Sequence, residues 1–169
     1  MNAYALVLLA FAQVAATLTG FIGVVFVLGE RSRHLNTDES SALFHFLFSA
    51  LSALFVSLFA ALLLVYLASE EHLAWRICNG LSGLIHLIGG GRLAIETLGQ
   101  KTGIQRAFVT SSIGLGTAGV SFMAAAGYLT QEEALIFMLA TLWTLGVTVI
   151  AFVSLLTSAS SGLPTELET

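Results

Sequence analysis

The stretch from Leu73 to Leu98 carries a stripe of polar and small residues at helical spacing. Its members step by three or four positions and lie within an arc of about 80° on a helix of about 3.6 residues per turn. They are Arg76, Asn79, Gly83, His86 and Gly90. An imidazole can gain and lose a proton near neutral pH, and a guanidinium stays positively charged. The stripe therefore has the chemistry to relay protons or to attract small anions.

A second group of ionisable residues is predicted at one end of the same stretch. Arg92 and Glu96 are four residues apart, a spacing that lets their side chains pair on a helix. If this stretch and the apolar segment before it form antiparallel helices joined by a short connection, His45 lies at the same membrane depth as Glu96. We therefore interpret His45, Arg92 and Glu96 as an ionisable cluster.

Other chemistry finds little support in the sequence. The one cysteine, Cys78, excludes internal disulfides and a cysteine-rich metal site. The one lysine, Lys101, falls in a connection, which excludes a retinal Schiff base within a helix. His45 and His86 differ in depth by about 15 Å, so one chain cannot supply the two facing histidines of a haem site. We expect no metal and no cofactor.

The composition is that of a polytopic membrane protein. Hydrophobic residues make up 57% of the 169 residues and charged residues 9%, with a mean hydropathy of +0.93. A soluble domain averages about 25% charged residues. The net charge of −4, without any basic stretch, excludes nucleic acid as a partner.

The apolar runs predict an all-α fold, a bundle of five transmembrane helices in a single domain of residues 1–157. Each span needs about 20 apolar residues. A short polar tail, 158–169, follows the last of them. The predicted spans cover residues 3–28, 41–68, 73–98, 107–128 and 134–157.

Residues at the ends of these runs predict where helices start and stop. Thr130 and Glu133 have the spacing of a capping box before the fifth span, and Ser69 is a candidate cap for the third. Gly29 and Gly99 lie where helix C-terminal caps are expected.

Basic and aromatic residues predict the orientation of the bundle. With five spans, all basic residues except Arg76 fall on one side, namely Arg31, Arg33, Arg92, Lys101 and Arg106. The positive-inside rule then places the N-terminus outside and the C-terminus in the cytoplasm. An aromatic belt is expected at the outer surface, formed by Tyr4, Tyr66, Trp75 and Tyr128.

Three classes of function remain. We expect a homo-oligomeric channel or small transporter for protons or small anions, with the third helix lining the path and subunit interfaces providing interior for the polar stripes. The second class is a non-enzymatic membrane subunit or assembly protein, because rows of small residues pack helices together. The third is a membrane-embedded redox protein or other enzyme, which the absence of paired carboxylates disfavours. The expected partners are the lipid bilayer and further copies or other membrane subunits, and the compact loops are typical of a bacterial inner membrane.

Overall fold

The computed structural model describes residues 3–29, 37–99 and 104–160, and over these ranges the chain is all-α, as predicted. Five helices follow one another without a strand in the described residues. They are α1 (Ala3–Gly29), α2 (Thr37–Tyr66), α3 (Glu71–Gly99), α4 (Ile104–Ala125) and α5 (Glu133–Ser160).

Three helices are long and apolar enough to cross a membrane. Their apolar segments are Ala3–Val24 in α1, Leu43–Tyr66 in α2 and Glu133–Thr157 in α5. The apolar part of α4, Val109–Ala125, is shorter, and the charged and polar residues of α3 lower its hydropathy. By composition, the chain is therefore compatible with a membrane location.

The helix ends agree with the sequence at some positions and differ at others. α1 and α3 end at Gly29 and Gly99, as the glycines predicted. The predicted capping box of Thr130 and Glu133 is wrong, because α5 begins at Glu133 itself. The carboxylate of Glu133 contacts α3 instead. Ser69 is likewise not the cap, because Glu70 accepts the first backbone hydrogen bond, from Ala74.

The C-terminal boundaries also shift. α4 stops at Ala125, three residues before the predicted end of the fourth span, because the chain turns at Gly127 with a φ of 85°. Helix α5 continues to Ser160, into the predicted polar tail, and residues 161–169 lie outside the described ranges. Lys101, Arg31 and Arg33, on which the orientation depends, lie outside them as well.

Helices α2, α3 and α5 form the centre of the bundle, with α1 against α2 and α4 against α3. One core cluster lies at the end where α5 begins and includes Leu8, Trp75 and Phe137. Another, at the opposite end, includes Ile22 and Phe46. We name the two ends the Glu133 end and the Glu96 end, after the carboxylates described below.

Trp75 belongs to the core rather than to an exposed belt. Its ring is 3% exposed and meets Tyr4 edge-on at 5.4 Å between centroids. Its Nε1 donates to Glu71 Oε1 at 3.1 Å. Tyr66 and Tyr128 are exposed, as a belt requires. The aromatic-belt prediction was thus wrong in placing Trp75 at the lipid surface.

Two glycines let α3 and α4 approach closely. A Cβ on Gly90 would lie 3.2 Å from the backbone nitrogen of Leu115, and one on Gly114 would lie 3.5 Å from Gly90 Cα. The close contact fixes α4 against the face of α3 that carries the polar stripe.

Candidate functional site

A buried carboxylate organises the Glu133 end of the bundle. Glu133 is 2% exposed, and its side chain accepts a hydrogen bond from Arg76 Nε at 3.1 Å. His72 Nδ1 lies 2.9 Å from its other oxygen. A buried charge is costly unless it is paired and hydrogen-bonded, and here it is both. We call His72, Arg76 and Glu133 the Glu133 cluster.

This cluster joins an exposed side chain to a buried one. The His72 side chain is 79% exposed, whereas the carboxylate that it contacts is buried. Arg76 is held in place from the other side, because its guanidinium lies against Gly127. The positive φ there favours glycine, and any side chain at this position would meet the guanidinium. Arg76 is therefore fixed between the α4–α5 turn and Glu133.

Asn79 extends the polar interior one turn deeper. Its Nδ2 donates to the backbone oxygens of Trp75 and Glu133, at 3.0 and 2.9 Å. Its Oδ1 is buried and has no hydrogen-bond partner within the described residues, and the same holds for Ser57 Oγ and Ser121 Oγ. Buried polar atoms of this kind commonly bind ordered water.

His86 lies at the middle of α3 and is 8% exposed. Its Nδ1 is 2.8 Å from the backbone oxygen of Ser82, and its Nε2 is 3.1 Å from Thr144 Oγ1. The same hydroxyl is 3.0 Å from the backbone oxygen of Ala140. The imidazole therefore joins α3 to α5 through Nε2, while Nδ1 contacts the backbone of its own helix.

A half-open pocket of about 80 Å³, lined mostly by apolar surface, lies between α2, α3, α4 and α5. His86 lines it on one side and His45 on another, with the hydroxyl groups of Ser49, Ser52 and Thr144 also in its wall. A water molecule takes about 30 Å³ in the liquid, so the pocket has room for about two or three. The two histidines therefore line the same pocket.

Hydroxyl groups extend this polar region along α5. Thr141, Thr144 and Thr148 are spaced to share one face of α5, and that face is directed into the bundle. Thr148 Oγ1 donates to Ser49 Oγ at 3.0 Å and joins α5 to α2. A smaller cavity, of about 10 Å³, is lined by Ser82, His86 and Thr141 among others.

The structure brings together the three residues of the second ionisable group. His45 Nε2 lies 2.8 Å from Glu96 Oε2, and Arg92 Nε donates to Glu96 Oε1 at 2.9 Å. The guanidinium of Arg92 also lies 3.6 Å from the centroid of the Phe44 ring, within the range of a cation–π contact. We call His45, Arg92 and Glu96 the Glu96 cluster.

A mutant cycle tests whether the Glu96 cluster acts as a unit. We expect Glu96→Gln to lower the free energy of unfolding by about 1 kcal/mol, because two side chains lose their charged acceptor. Glu96→Gln combined with Arg92→Gln should cost less than Glu96→Gln alone, since no uncompensated cation remains. Cys78 is buried and is the sole cysteine, so its reaction with a maleimide dye on heating reports unfolding. Additive losses would mean that the side chains act separately.

The stripe on α3 faces the interior of a single chain. Arg76 and Asn79 contact Glu133, and His86 contacts Thr144. The two remaining members are packing positions: Gly83 lies against the Phe122 ring and Gly90 against the backbone of Leu115. The sequence predicts that subunit interfaces provide the interior for this stripe. In the structure, a single bundle already provides it.

Sequence reasoning missed His72 and Glu133 as site residues. The predicted third span begins after His72, and the sequence assigns Glu133 only to a capping box. The pairing joins residues 61 positions apart on different helices, so no periodicity could reveal it. The available signal was that Glu133 lies at the start of the fifth apolar run, on the side of the bundle predicted for Arg76.

Within the three described ranges, no group of three or more histidine, cysteine, aspartate or glutamate side chains could hold a metal ion. No protein-family model, curated protein or solved structure matches this chain.

Proposed function

We propose that the chain is an integral membrane protein of five transmembrane helices that conducts protons along polar groups inside its own bundle. We call these groups the polar file. It runs from the Glu133 end to the Glu96 end and comprises His72, Glu133, Asn79, His86, Thr144, His45 and Glu96.

The contacts of α3 support a fourth span, and α4, which packs closely along α3 at Gly83 and Gly90, supports a fifth. Near its start, Arg76 contacts Glu133, the first residue of the apolar segment of α5. Near its end, Glu96 contacts His45, the third residue of the apolar segment Leu43–Tyr66 in α2. A helix alongside two spanning helices over that length crosses the membrane with them, and its polar face is shielded from lipid as the bilayer requires.

The orientation follows from the basic residues and gives a labelling prediction. We propose that the Glu96 end faces the cytoplasm. In a Cys78→Ala background, a cysteine at Gly103 should react with a membrane-impermeant maleimide only from the cytoplasmic side. One at Thr130 should react only from outside. Labelling of Gly103→Cys from outside would mean that α3 does not cross the membrane.

The hydrogen bonds of His86 carry the proposal. In the neutral ring, Nδ1–H donates to Ser82 and the Thr144 hydroxyl donates to Nε2. In the protonated ring, Nε2–H donates to the Thr144 oxygen, and the hydroxyl proton turns to Ala140, 3.0 Å away. Both protonation states are therefore fully hydrogen-bonded, and a single hydroxyl rotation separates them. A packing histidine needs only one of these arrangements.

The two end clusters suit proton entry and exit. Each contains one arginine, one glutamate and one histidine, and in each the histidine contacts the carboxylate at 2.8 or 2.9 Å. A histidine–carboxylate pair can pass a proton between water and the interior. Water held in the 80 Å³ pocket would connect His45 to His86.

The same clusters favour protons over small anions. Arg76 is the cation that an anion would meet first at the Glu133 end, and it is paired with Glu133. Arg92 is likewise paired with Glu96. With both guanidinium charges offset by carboxylates, the file offers an anion no unpaired positive charge within its described residues.

Flux into liposomes tests this function. Purified protein is reconstituted with an enclosed pH dye, and a proton gradient is applied together with valinomycin and potassium to balance charge. We expect acidification well above that of protein-free liposomes, and no chloride uptake under a chloride gradient. Chloride uptake without proton movement would mean that the protein conducts anions rather than protons. The absence of both fluxes would overturn the proposal.

A further inference from the structure

One face of α1 carries a polar side chain that the bundle leaves outside. Gln13 is exposed, although it lies within the apolar segment Ala3–Val24. Its side-chain amide makes no hydrogen bond to any part of the chain that the structure describes. An amide left unpaired in hydrocarbon costs several kcal/mol by transfer measurements. The side chain therefore requires a partner from outside this chain.

The depth of Gln13 makes this requirement strong. Ala15, two residues further along α1, shares a buried cluster with Ala53 and Leu145. Leu145 directly follows Thr144, which contacts His86. Gln13 thus lies within about one helical turn of the depth of His86, far from the water at either end of the bundle.

We infer that α1 forms a parallel dimer interface with α1 of a second copy of this chain, with the two Gln13 amides paired across a twofold axis. Copies inserted in one orientation are related by an axis along the membrane normal, so a residue near that axis meets its own counterpart at equal depth. An amide both donates and accepts, so two glutamines satisfy each other.

The residues around Gln13 permit the necessary approach. Ala16 and Gly20, three and seven positions further, are exposed on the same side of α1. A Cβ added at Gly20 would meet no atom within 4 Å. Small residues at this spacing let two helix backbones come close in a membrane. The other polar side chain on this face, the Thr17 hydroxyl, already donates to the backbone oxygen of Gln13 at 2.8 Å.

Thr17 provides a matched control for the energetics. We expect Gln13→Leu to raise the dissociation constant of the dimer in liposomes about tenfold, in line with membrane hydrogen bonds of about 1–2 kcal/mol. Thr17→Val removes a hydroxyl from the same face without removing an intermolecular bond, and should change it less than about threefold. Energy transfer between labelled copies, measured over a range of protein-to-lipid ratios, gives the constants.

Cysteine cross-linking tests the geometry in the full chain. In a Cys78→Ala background, cysteines at Ala16 and Gly20 should form disulfide-linked dimers on oxidation, and a cysteine at the exposed Val14, on another side of α1, should not. Equal cross-linking at all three positions, an unchanged dissociation constant for Gln13→Leu, or a monomer at every lipid ratio would overturn the inference. It rests on the membrane insertion proposed above but not on proton conduction, so Gln13→Leu should keep its flux per chain.

Discussion

Replacing His86 with phenylalanine is expected to lower proton flux by about 100-fold, in the range contributed by positioned acid–base groups. Phenylalanine keeps a planar ring between α3 and α5 but has no atom that can carry a proton. The Ser82 and Thr144 contacts of the imidazole are lost together. Flux into liposomes containing the pH dye measures the change.

Two further variants separate the relay from helix packing. Leu87→Phe adds the same ring to the exposed side of α3 and should leave flux unchanged. Thr144→Val keeps the side-chain volume but removes the hydroxyl that serves both protonation states, and flux should fall between wild type and His86→Phe. If His86→Phe folds, as maleimide protection of Cys78 would show, and conducts like the wild type, His86 is a packing residue.

Glu133→Gln is expected to be the most destabilising conservative substitution at the Glu133 end, costing about 2 kcal/mol. The carboxylate is buried and serves two cationic or proton-donating partners, and removing one member of a buried pair leaves the other uncompensated. The cost stays below the largest known values because the side chains of Arg76 and His72 are partly exposed, so that solvent screens the charge left unpaired. Thermal unfolding followed through Cys78 reactivity gives the difference.

Glu132, the residue before Glu133, supplies the control for Glu133→Gln. Glu132 is exposed, so Glu132→Gln removes the same charge from the same turn and should change stability by less than about 0.5 kcal/mol. Arg76→Gln combined with Glu133→Gln should recover part of the loss, because the unpaired cation is gone. Equal effects of the Glu132 and Glu133 substitutions would mean that the Glu133 cluster contributes no pairing energy.

Relations within one helix could be predicted from the sequence, because a helix fixes the angle between its residues. The spacing of the α3 stripe, the i,i+4 relation of Arg92 to Glu96 and the common face of the α5 threonines all follow from 3.6 residues per turn. Apolar length and terminal glycines likewise located the helices to within a few residues.

Relations between helices depended on the rotation of each helix about its axis, which the sequence does not determine. The pairing of Glu133 with His72 requires α5 to present its first residue to α3. The burial of Trp75 requires α1 and α5 to close over it. The sequence also left open whether the α3 stripe met a second subunit, because the close approach of α4 to α3 at Gly90 and Gly114 depends on how the two helices pack.

Proton entry into vesicles that each hold a single labelled chain, as counted by stepwise photobleaching, tests most directly whether one bundle contains the whole path. Single-vesicle imaging of an enclosed pH dye gives the fraction of these vesicles that acidifies. If the polar file of one chain conducts, that fraction should rise above that of protein-free vesicles and should fall to background with His86→Phe. Acidification only in vesicles that hold two or more chains, or in no vesicles at all, would contradict conduction through a single chain.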